Sequence, residues 1–357
     1  MSYLSQGQAL IMKKLLLVDG HSLIHRAYHA YPKTLATKDG ELTNAVYGFT
    51  NILLTEINEL SPTHVAVAFD LPKPTFREAM FVGYKQSRVK PDDELINQIP
   101  RIKEIVKTLN IPIFEVAGFE ADDVIGTLAR QANELLVVSY WSGERTKGDK
   151  GTGFPKFQRL NQQPITNNQQ PVVKVVILTS DRDLMQLIQS DMVVVQLPAK
   201  GKIPAKTVTE PDFFNSWGFS PRLLPDYKAL AGDQSDDIPG VKGIGEKTAK
   251  ELVTAYGEIN SIYREVFKGQ TSRTQGLTLS EKTLVKKLAE DQESAQLSKQ
   301  LATIDTNVPI KLDWRQTEIH EYNKDKVLQL FDELQFKSLV KKLPNDTFEQ
   351  SVQDTLF

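Results

Sequence analysis

The chain has 357 residues and a formal net charge of −2, and 40% of its residues are hydrophobic while 25% are charged. These proportions are typical of a globular protein with one large domain or two ordinary ones. No apolar run approaches the roughly 20 residues that span a membrane, so we expect a cytoplasmic protein with no membrane partner. The absence of cysteine excludes disulfides, thiolate metal sites and a cysteine nucleophile.

Apolar runs followed by acidic residues recur along the first 200 residues. Each run predicts a buried strand, and the helical patterns between them predict an α/β fold with a mainly parallel, twisted central sheet flanked by helices. The runs cover residues 13–19, 64–70, 111–116 and 172–179, and the acids that end or follow them are Asp19, Asp70, Glu120, Asp122, Asp123, Asp181 and Asp183. Residues 191–197 are expected to form an edge strand, followed by a hairpin turn at 200–202.

Each of these acids also has an ordinary structural explanation. Asp19 with Gly20 could form a turn, acids at a helix start are favoured by the helix dipole, and Asp181 could cap a helix over 183–190. The basic segment 73–101, which also carries aromatic residues, is either a solvated face or a surface that contacts a nucleic-acid backbone while its rings stack on bases.

The stretch 232–250 adds Asp233, Asp236 and Asp237, followed by a glycine-rich turn into a helical pattern. Carboxylates gathered at one edge of a sheet repel each other unless cations offset their charge. Two Mg²⁺ or Mn²⁺ ions would do so, because both ions prefer oxygen ligands, and such a pair can drive phosphodiester cleavage. The glycines allow backbone amides to approach a phosphate closely.

Ordered motifs over residues 13–343 resemble the 5′ nuclease family. This family includes the 5′–3′ exonuclease domain of bacterial DNA polymerase I, phage 5′ exonucleases and, more distantly, flap endonucleases. The motifs are Val18-Asp-Gly with Arg26-Ala-Tyr-His, Asn44-Ala-Val-Tyr-Gly-Phe, Ala68-Phe-Asp, Arg77 with Tyr84-Lys-Gln-Ser-Arg88, Gly118-Phe-Glu-Ala-Asp-Asp, Thr179-Ser-Asp-Arg-Asp, and Gly232-Asp-Gln-Ser-Asp through Gly245-Glu-Lys-Thr-Ala. The resemblance implies a PIN-like fold with a helical arch and a helix-three-turn-helix.

The resemblance also implies roles for individual residues. The inner metal site would contain Asp70, Glu120, Asp122 and Asp123 with Asp19 beside them, and Asp181, Asp183, Asp233 and Asp236 would form the second. Arg26, Lys85 and Arg88 would act on the scissile phosphate. The DNA-binding residues would be Arg77, Tyr84, Gly240, Val241, Lys242, Gly243, Gly245, Lys247 and Thr248, with a K⁺ ion at the helix-three-turn-helix.

The predicted organisation is a catalytic domain at 1–205, with the arch at about 72–105 and a flexible insertion at 143–171. A DNA-binding part follows at 206–343, and a flexible tail at 344–357. The insertion is longer than the family usually has, and Asp237 stands where the family usually has Asn. The chain stops near where a polymerase domain would begin, so we expect a standalone, monomeric nuclease.

The tail ends in Gln353, Leu356 and Phe357, which resemble a peptide that docks on the bacterial sliding clamp. The alternative is a plain disordered end.

These observations predict a metal-dependent nuclease for DNA with a 5′ flap or 5′ end, including RNA primers in RNA–DNA hybrids, in primer removal and DNA repair. Two other functions stay open. One is a non-catalytic protein that binds DNA junctions, and the other is a PIN-type ribonuclease.

Overall fold

The computed structural model describes residues 12–141, 172–272, 279–319 and 322–344. The insertion predicted at 143–171 lies outside the described residues, as does the tail beyond Pro344 with its predicted clamp-binding residues Gln353, Leu356 and Phe357.

A six-stranded sheet forms the centre of the molecule, in the order β3-β2-β1-β4-β5-β6. Its strands are β1 (Met12–Asp19), β2 (His64–Ala68), β3 (Ile113–Phe114), β4 (Val172–Leu178), β5 (Val193–Leu197) and β6 (Lys206–Val208). All neighbours pair in parallel except β5 and β6, which are antiparallel. The predicted α/β fold with a mainly parallel sheet is therefore confirmed.

Two predicted strands differ from the observed ones. Residues 191–197 do not form an edge strand, because β5 lies between β4 and β6, and the turn near Gly201 brings β6 back along its outer side. The predicted strand over 111–116 is reduced to Ile113 and Phe114.

Helices account for most of the remaining described chain. They are α1 (Gly20–Ala30), α2 (Asn44–Leu60), α3 (Phe76–Met80), α4 (Asp93–Ile96), α5 (Ile99–Thr108), α6 (Ala121–Trp141), α7 (Glu210–Trp217), α8 (Leu224–Ala231), α9 (Glu246–Tyr256), α10 (Ile259–Ser272), α11 (Leu279–Glu290), α12 (Gln292–Ala302), α13 (Trp314–Thr317) and α14 (Lys324–Glu333). Short 3₁₀ helices lie at Asp183–Leu187, Pro221–Leu223 and Lys337–Lys342.

Alternate residues of the strands point to opposite faces of the sheet, and both faces carry apolar side chains. Helices cover both faces for this reason. Leu15 and Leu17 of β1 pack in one cluster with Ile125 of α6. Leu16 of β1 packs in the other cluster with Phe49 of α2. This three-layer arrangement places the carboxyl ends of the parallel strands at one open edge of the sheet.

The hydrophobic core crosses the predicted domain boundary at residue 205. Phe331 of α14 and Leu339 of the last 3₁₀ helix are buried in the same cluster as Phe49 of the catalytic part. Helix α14 ends at Glu333 and is separated from the last 3₁₀ helix by a short turn, in which Gln335 has a positive φ of 60°. The division into two domains stays a prediction.

A segment with neither helix nor strand, residues 303–312, follows α12 and lies along α6. We call it the strap. Gln131 of α6 donates through its side chain to the carbonyl of Ile310 and accepts from the amide of Leu312, at 2.8 and 2.7 Å. Arg130 donates to the carbonyl of Thr306 at 2.8 Å. The strap thus returns the chain from the helical part to the sheet.

Within the described ranges, the helices do not combine the length and apolar character needed to cross a bilayer. The predicted cytoplasmic location stays a prediction.

Candidate active site

A cleft of about 1080 Å³ opens at the carboxyl ends of β1, β2 and β4. Strand ends of a parallel sheet converge at such an edge, so side chains distant in sequence meet there. The predicted site residues that line the cleft are Asp19, Arg26, Asp70, Lys85, Arg88, Glu120, Asp122, Asp181 and Asp236. Asp123, Asp183 and Asp233 are not among the lining residues.

Asp19 lies at the end of β1 and is 3% exposed. It caps α1 by accepting from the amide of Ser22 at 3.0 Å, and it accepts from the hydroxyl of Thr179 at 2.7 Å. Burial raises the pKa of Asp19 to about 7, although these two hydrogen bonds oppose the rise. Asp19 thus caps a helix, where the sequence suggested a turn with Gly20, and this role is compatible with a position in the cleft.

Asp122 lies in the first turn of α6 and faces other acids. Burial raises its pKa well above the usual range, and repulsion from Asp181 and Asp19 adds to the rise. Asp70 holds the start of the same helix, because its carboxylate accepts from the amide of Ala121 at 2.6 Å. These four carboxylates surround one part of the cleft.

The cleft is also lined by cations that pair with some of its acids. Lys85 donates to Glu120 at 2.8 Å, and Arg88 forms an ion pair with Asp236. Burial lowers the pKa of Lys85, but attraction to Glu120 and Asp236 outweighs it and leaves a net rise. Lys85 therefore stays charged and available to a negative group.

Arg26, the third predicted catalytic residue, lies on α1 and also lines the cleft. Its guanidinium donates to the hydroxyl of Ser180 at 3.2 Å and to the carbonyl of Pro198 at 3.0 Å. These bonds place it beside β4 and β5.

Asp123 is fully buried and forms a paired contact with Arg77, two hydrogen bonds of 2.7 Å each. Arg77 also donates to the carbonyls of Leu301 and Thr303, both at 2.8 Å. This geometry gives Asp123 a protein cation in place of a metal ion. It also leaves Arg77, at 2% exposure, without a surface for DNA.

A second buried cation, Lys228 of α8, forms ion pairs with both Asp183 and Asp233. Burial raises the pKa of Asp183 to about 6 despite this pairing. At Asp233 burial also raises the pKa, but Lys228 and Ser235 outweigh it and the net pKa is lowered. Sequence reasoning missed Lys228, and the available signal was a lysine in the apolar helix five residues before Asp233.

The described residues contain no group of three or more acidic or histidine side chains already arranged to hold a metal ion. Five of the predicted acids, Glu120, Asp123, Asp183, Asp233 and Asp236, form ion pairs with Arg77, Lys85, Arg88 or Lys228 instead. The donor chemistry nevertheless fits a hard divalent cation, since the acids around Asp122 offer only carboxylate oxygens. Burial first, and then repulsion from these acids, raises the pKa of Asp122.

The glycine-rich turn before α9 is tightly packed. Gly240 has a φ of 65°, and a Cβ atom there would lie 2.3 Å from the amide nitrogen of Gly232, so only glycine fits. The predicted DNA-binding residues divide into buried and accessible ones: Gly240 and Val241 are buried, Thr248 is half-buried, and Lys242, Gly243, Gly245 and Lys247 are exposed. Gly245 caps α9 without a side chain, which leaves amides of the first turn accessible.

The predicted arch at 72–105 has two short helices, α3 and α4, joined by turns, while α5 packs into the core. Tyr84, predicted to contact DNA, is 5% exposed and its hydroxyl donates to Glu120 at 3.2 Å. The exposed side chains of this segment include Val82 and Val89.

Comparison with known proteins agrees with this geometry. The 5′–3′ exonuclease N-terminal resolvase-like domain matches residues 14–145, and the 5′–3′ exonuclease C-terminal SAM fold matches residues 219–325. The chain is 35% identical to DNA polymerase I of Caldicellulosiruptor bescii over 92% of its own length, and 37% identical to that of Chloroflexus aurantiacus over 93%. The chain belongs to the 5′–3′ exonuclease family. It spans about a third of those two relatives, 33% and 31% of their lengths.

One solved structure with a similar fold is that of the bacteriophage T5 flap endonuclease in complex with DNA and metal ions. It is 16% identical, with a TM-score of 0.58 over 90% of this chain and 100% of that chain. The PIN-like fold with a C-terminal helix-three-turn-helix is thus confirmed. The reaction class, phosphodiester hydrolysis, rests on the two matching 5′–3′ exonuclease family models. The metal-binding and DNA-binding roles of individual residues stay predictions.

Proposed function

We propose that this 5′–3′ exonuclease requires divalent metal ions and cleaves DNA at 5′ ends and at 5′ flaps. The observation that carries the proposal is a cleft whose lining combines carboxylates at the strand ends with the cations Arg26, Lys85 and Arg88. A phosphodiester is a substrate that needs both kinds of group, because it is an anion that an acidic site binds only together with cations.

Mg²⁺ or Mn²⁺ is the proposed cofactor. The residues proposed to hold a first ion are Asp19, Asp70, Glu120 and Asp122, and those proposed for a second are Asp181, Asp183, Asp233 and Asp236. Asp123 is left out of this set because Arg77 occupies both of its oxygens. When bound, two such ions supply an activated water and offset charge on the attacking and leaving oxygens. Crystals of the T5 enzyme grown with metal ions support a metal requirement, and the number and identity of the ions are our proposal.

The chain's own cations bind and orient the phosphate. Lys85 and Arg88 are held at the cleft by acids that they can exchange for a phosphodiester, and Arg26 presents its guanidinium from the β4 side. Arginine is suited to this role because its planar fork binds two oxygens of one phosphate.

The turn before α9 is proposed to hold duplex DNA away from the cut. Exposed Lys242 and Lys247 and the open amides after Gly245 contact phosphates without reading bases. A K⁺ ion bound at this turn would assist, and the family resemblance is its only support.

Three further parts of the proposal rest on sequence. RNA primers in RNA–DNA hybrids are proposed as substrates because backbone recognition does not require deoxyribose. The protein is proposed to act as a monomer in the cytoplasm. The tail with Gln353, Leu356 and Phe357 is proposed to dock on a sliding clamp, and equal clamp affinity of a chain ending at Ser351 would contradict this.

The test is cleavage of a labelled 5′-flap DNA with Mg²⁺ and with EDTA, beside a single-stranded RNA of the same sequence. We expect flap cleavage with Mg²⁺ only and slow or no cutting of the RNA. Preferred cutting of the RNA would favour a ribonuclease. Flap binding without cleavage under any divalent metal would favour a non-catalytic junction-binding protein.

A further inference from the structure

Two loops from different parts of the chain contact each other along the rim of the cleft. One is the segment 84–88, which carries Lys85 and Arg88, and the other is the turn 235–237. The amide of Lys85 donates to the carbonyl of Asp236 at 2.9 Å, and the guanidinium of Arg88 donates to the carbonyl of Ser235 at 3.1 Å. The segment 84–88 is therefore built onto the second loop.

Asp237 makes the paired contact between these loops. One of its carboxylate oxygens accepts from the amide of Ser87 and the other from the hydroxyl of Ser87, both at 2.7 Å. Hydrogen bonds from Ser87 hold the pKa of Asp237 below its usual range, so the carboxylate is ionised near neutral pH. Ser87 lies between Lys85 and Arg88, the two cations of the cleft wall.

Both loops contain a residue in the left-handed region. Lys85 has a φ of 53° and Asp237 a φ of 55°. Such a conformation costs about 1 kcal/mol or more for residues other than glycine, with aspartate and asparagine the most tolerant. The surroundings of Lys85 therefore maintain its conformation. They include the hydrogen bonds between Asp237 and Ser87, which lies two residues after Lys85.

We propose that Asp237 is a positioning residue for phosphodiester cleavage. Its two hydrogen bonds to Ser87 fix the segment 84–88 against the turn 235–237 and so fix Lys85 and Arg88 in the cleft. This inference rests on the proposed function. It assigns Asp237, which does not line the cleft, a role that does not involve binding a metal ion.

A different explanation makes the opposite kinetic prediction. If Asp237 only adds a negative charge near the DNA, its removal should strengthen DNA binding and leave the cleavage rate unchanged. If it positions Lys85 and Arg88, its removal should slow cleavage of bound DNA, with DNA affinity unchanged or higher.

Three substitutions at one position separate charge, hydrogen bonding and backbone strain. Asp237→Ala and Asp237→Gly both remove the two acceptors, and glycine also tolerates the positive φ. Asp237→Asn removes the charge but retains both contacts, because its oxygen accepts from the Ser87 amide and its nitrogen donates to the Ser87 hydroxyl. Asp332→Ala, which removes an exposed acid at the end of α14, is the control for net charge.

The first measurement is single-turnover cleavage of saturating flap DNA with Mg²⁺. We expect the Ala and Gly variants to be about tenfold slower, which corresponds to the loss of two ordinary hydrogen bonds. Asp237→Asn and Asp332→Ala should retain most of the rate. Ser87→Ala should slow the wild type about threefold but have no further effect in the Asp237→Ala background. Equal rates for the Asn and Ala variants would overturn the proposal.

The second measurement is amide hydrogen exchange over residues 81–90 in the DNA-free protein, which does not depend on cleavage. Exchange should be faster in Asp237→Ala and Asp237→Gly and near wild type in Asp237→Asn. Unchanged exchange in all three variants would refute the proposal that Asp237 fixes the segment 84–88. If the wild type itself fails to cleave DNA while exchange responds as expected, the proposed function fails and the contact between the loops stands.

Discussion

Two sets of carboxylates lie at the same edge of the sheet, and they differ in what neutralises them. Asp123 is bonded to Arg77, and Asp183 and Asp233 are bonded to Lys228. Asp19 and Asp122 have no such partner among the ion pairs of the described residues, and the pKa of each is raised by burial and by neighbouring acids.

The difference separates acids that already have a cationic side chain as partner from acids that have none among the ion pairs of the described residues. A buried carboxylate with a fitted arginine is satisfied by the fold itself, whereas acids that face each other are costly until a cation arrives. Asp122 and Asp123 are adjacent in sequence, yet helical geometry directs them to different surroundings. Substitutions in the two sets should therefore have different consequences.

The largest effect should come from Asp122→Asn. Loss of one oxygen ligand at the proposed metal site should slow flap cleavage by at least about a thousandfold, because metal activation is worth several kcal/mol. The thermal midpoint in EDTA should be unchanged or higher, since one repelling charge is removed. Flap cleavage and thermal unfolding would be measured on the same preparation. Cleavage at more than a tenth of the wild-type rate would contradict our metal assignment.

Asp123→Ala should instead destabilise the protein by about 3 kcal/mol, because buried Arg77 loses both hydrogen bonds to its carboxylate partner and keeps only the longer contact with Glu120, at 3.5 Å. Urea unfolding in EDTA gives the free energy directly. The matched control is Arg77→Met with Asp123→Leu, which removes both charges and should recover part of the loss. A stable Asp123→Ala variant that has lost metal binding would show that Asp123 belongs with Asp122 after all.

The smallest effect should come from Lys228→Met. This substitution removes the cation shared by Asp183 and Asp233, so these two acids also lose their cationic partner. We expect a loss of about 1–2 kcal/mol in EDTA and a larger gain in stability on adding Mg²⁺ than the wild type shows. The reason is that the two acids become available to a divalent ion. An identical Mg²⁺ response in variant and wild type would argue against a second metal site near Asp183.

The fold and the location of the site were largely predictable from sequence. Apolar runs such as 13–19 and 64–70 predict parallel strands, and parallel strands bring Asp19 and Asp70 to one edge whatever lies between them. The family resemblance is carried by several ordered motifs, and the matches over 14–145 and 219–325 confirm it.

The pairing of charges could not be predicted in the same way. The Arg77–Asp123 bond joins residues 46 positions apart, and the Ser87–Asp237 bonds join residues 150 positions apart. Helix and strand periodicity carries no information on such distant partners. Lys228 stands in an apolar stretch of sequence, and that stretch does not show that its side chain turns toward two acids. Burial decides these roles, and burial is a property of the packed chain.

The strap at 303–312 has a consequence for cooperativity. Its backbone is bonded to side chains of α6, so the helical part, which we propose holds duplex DNA, and the part that carries the acids share one set of hydrogen bonds. Neither part can lose its structure without exposing backbone groups of the other. We therefore expect a single unfolding transition for the whole described chain, whether it is followed by tryptophan fluorescence or by circular dichroism.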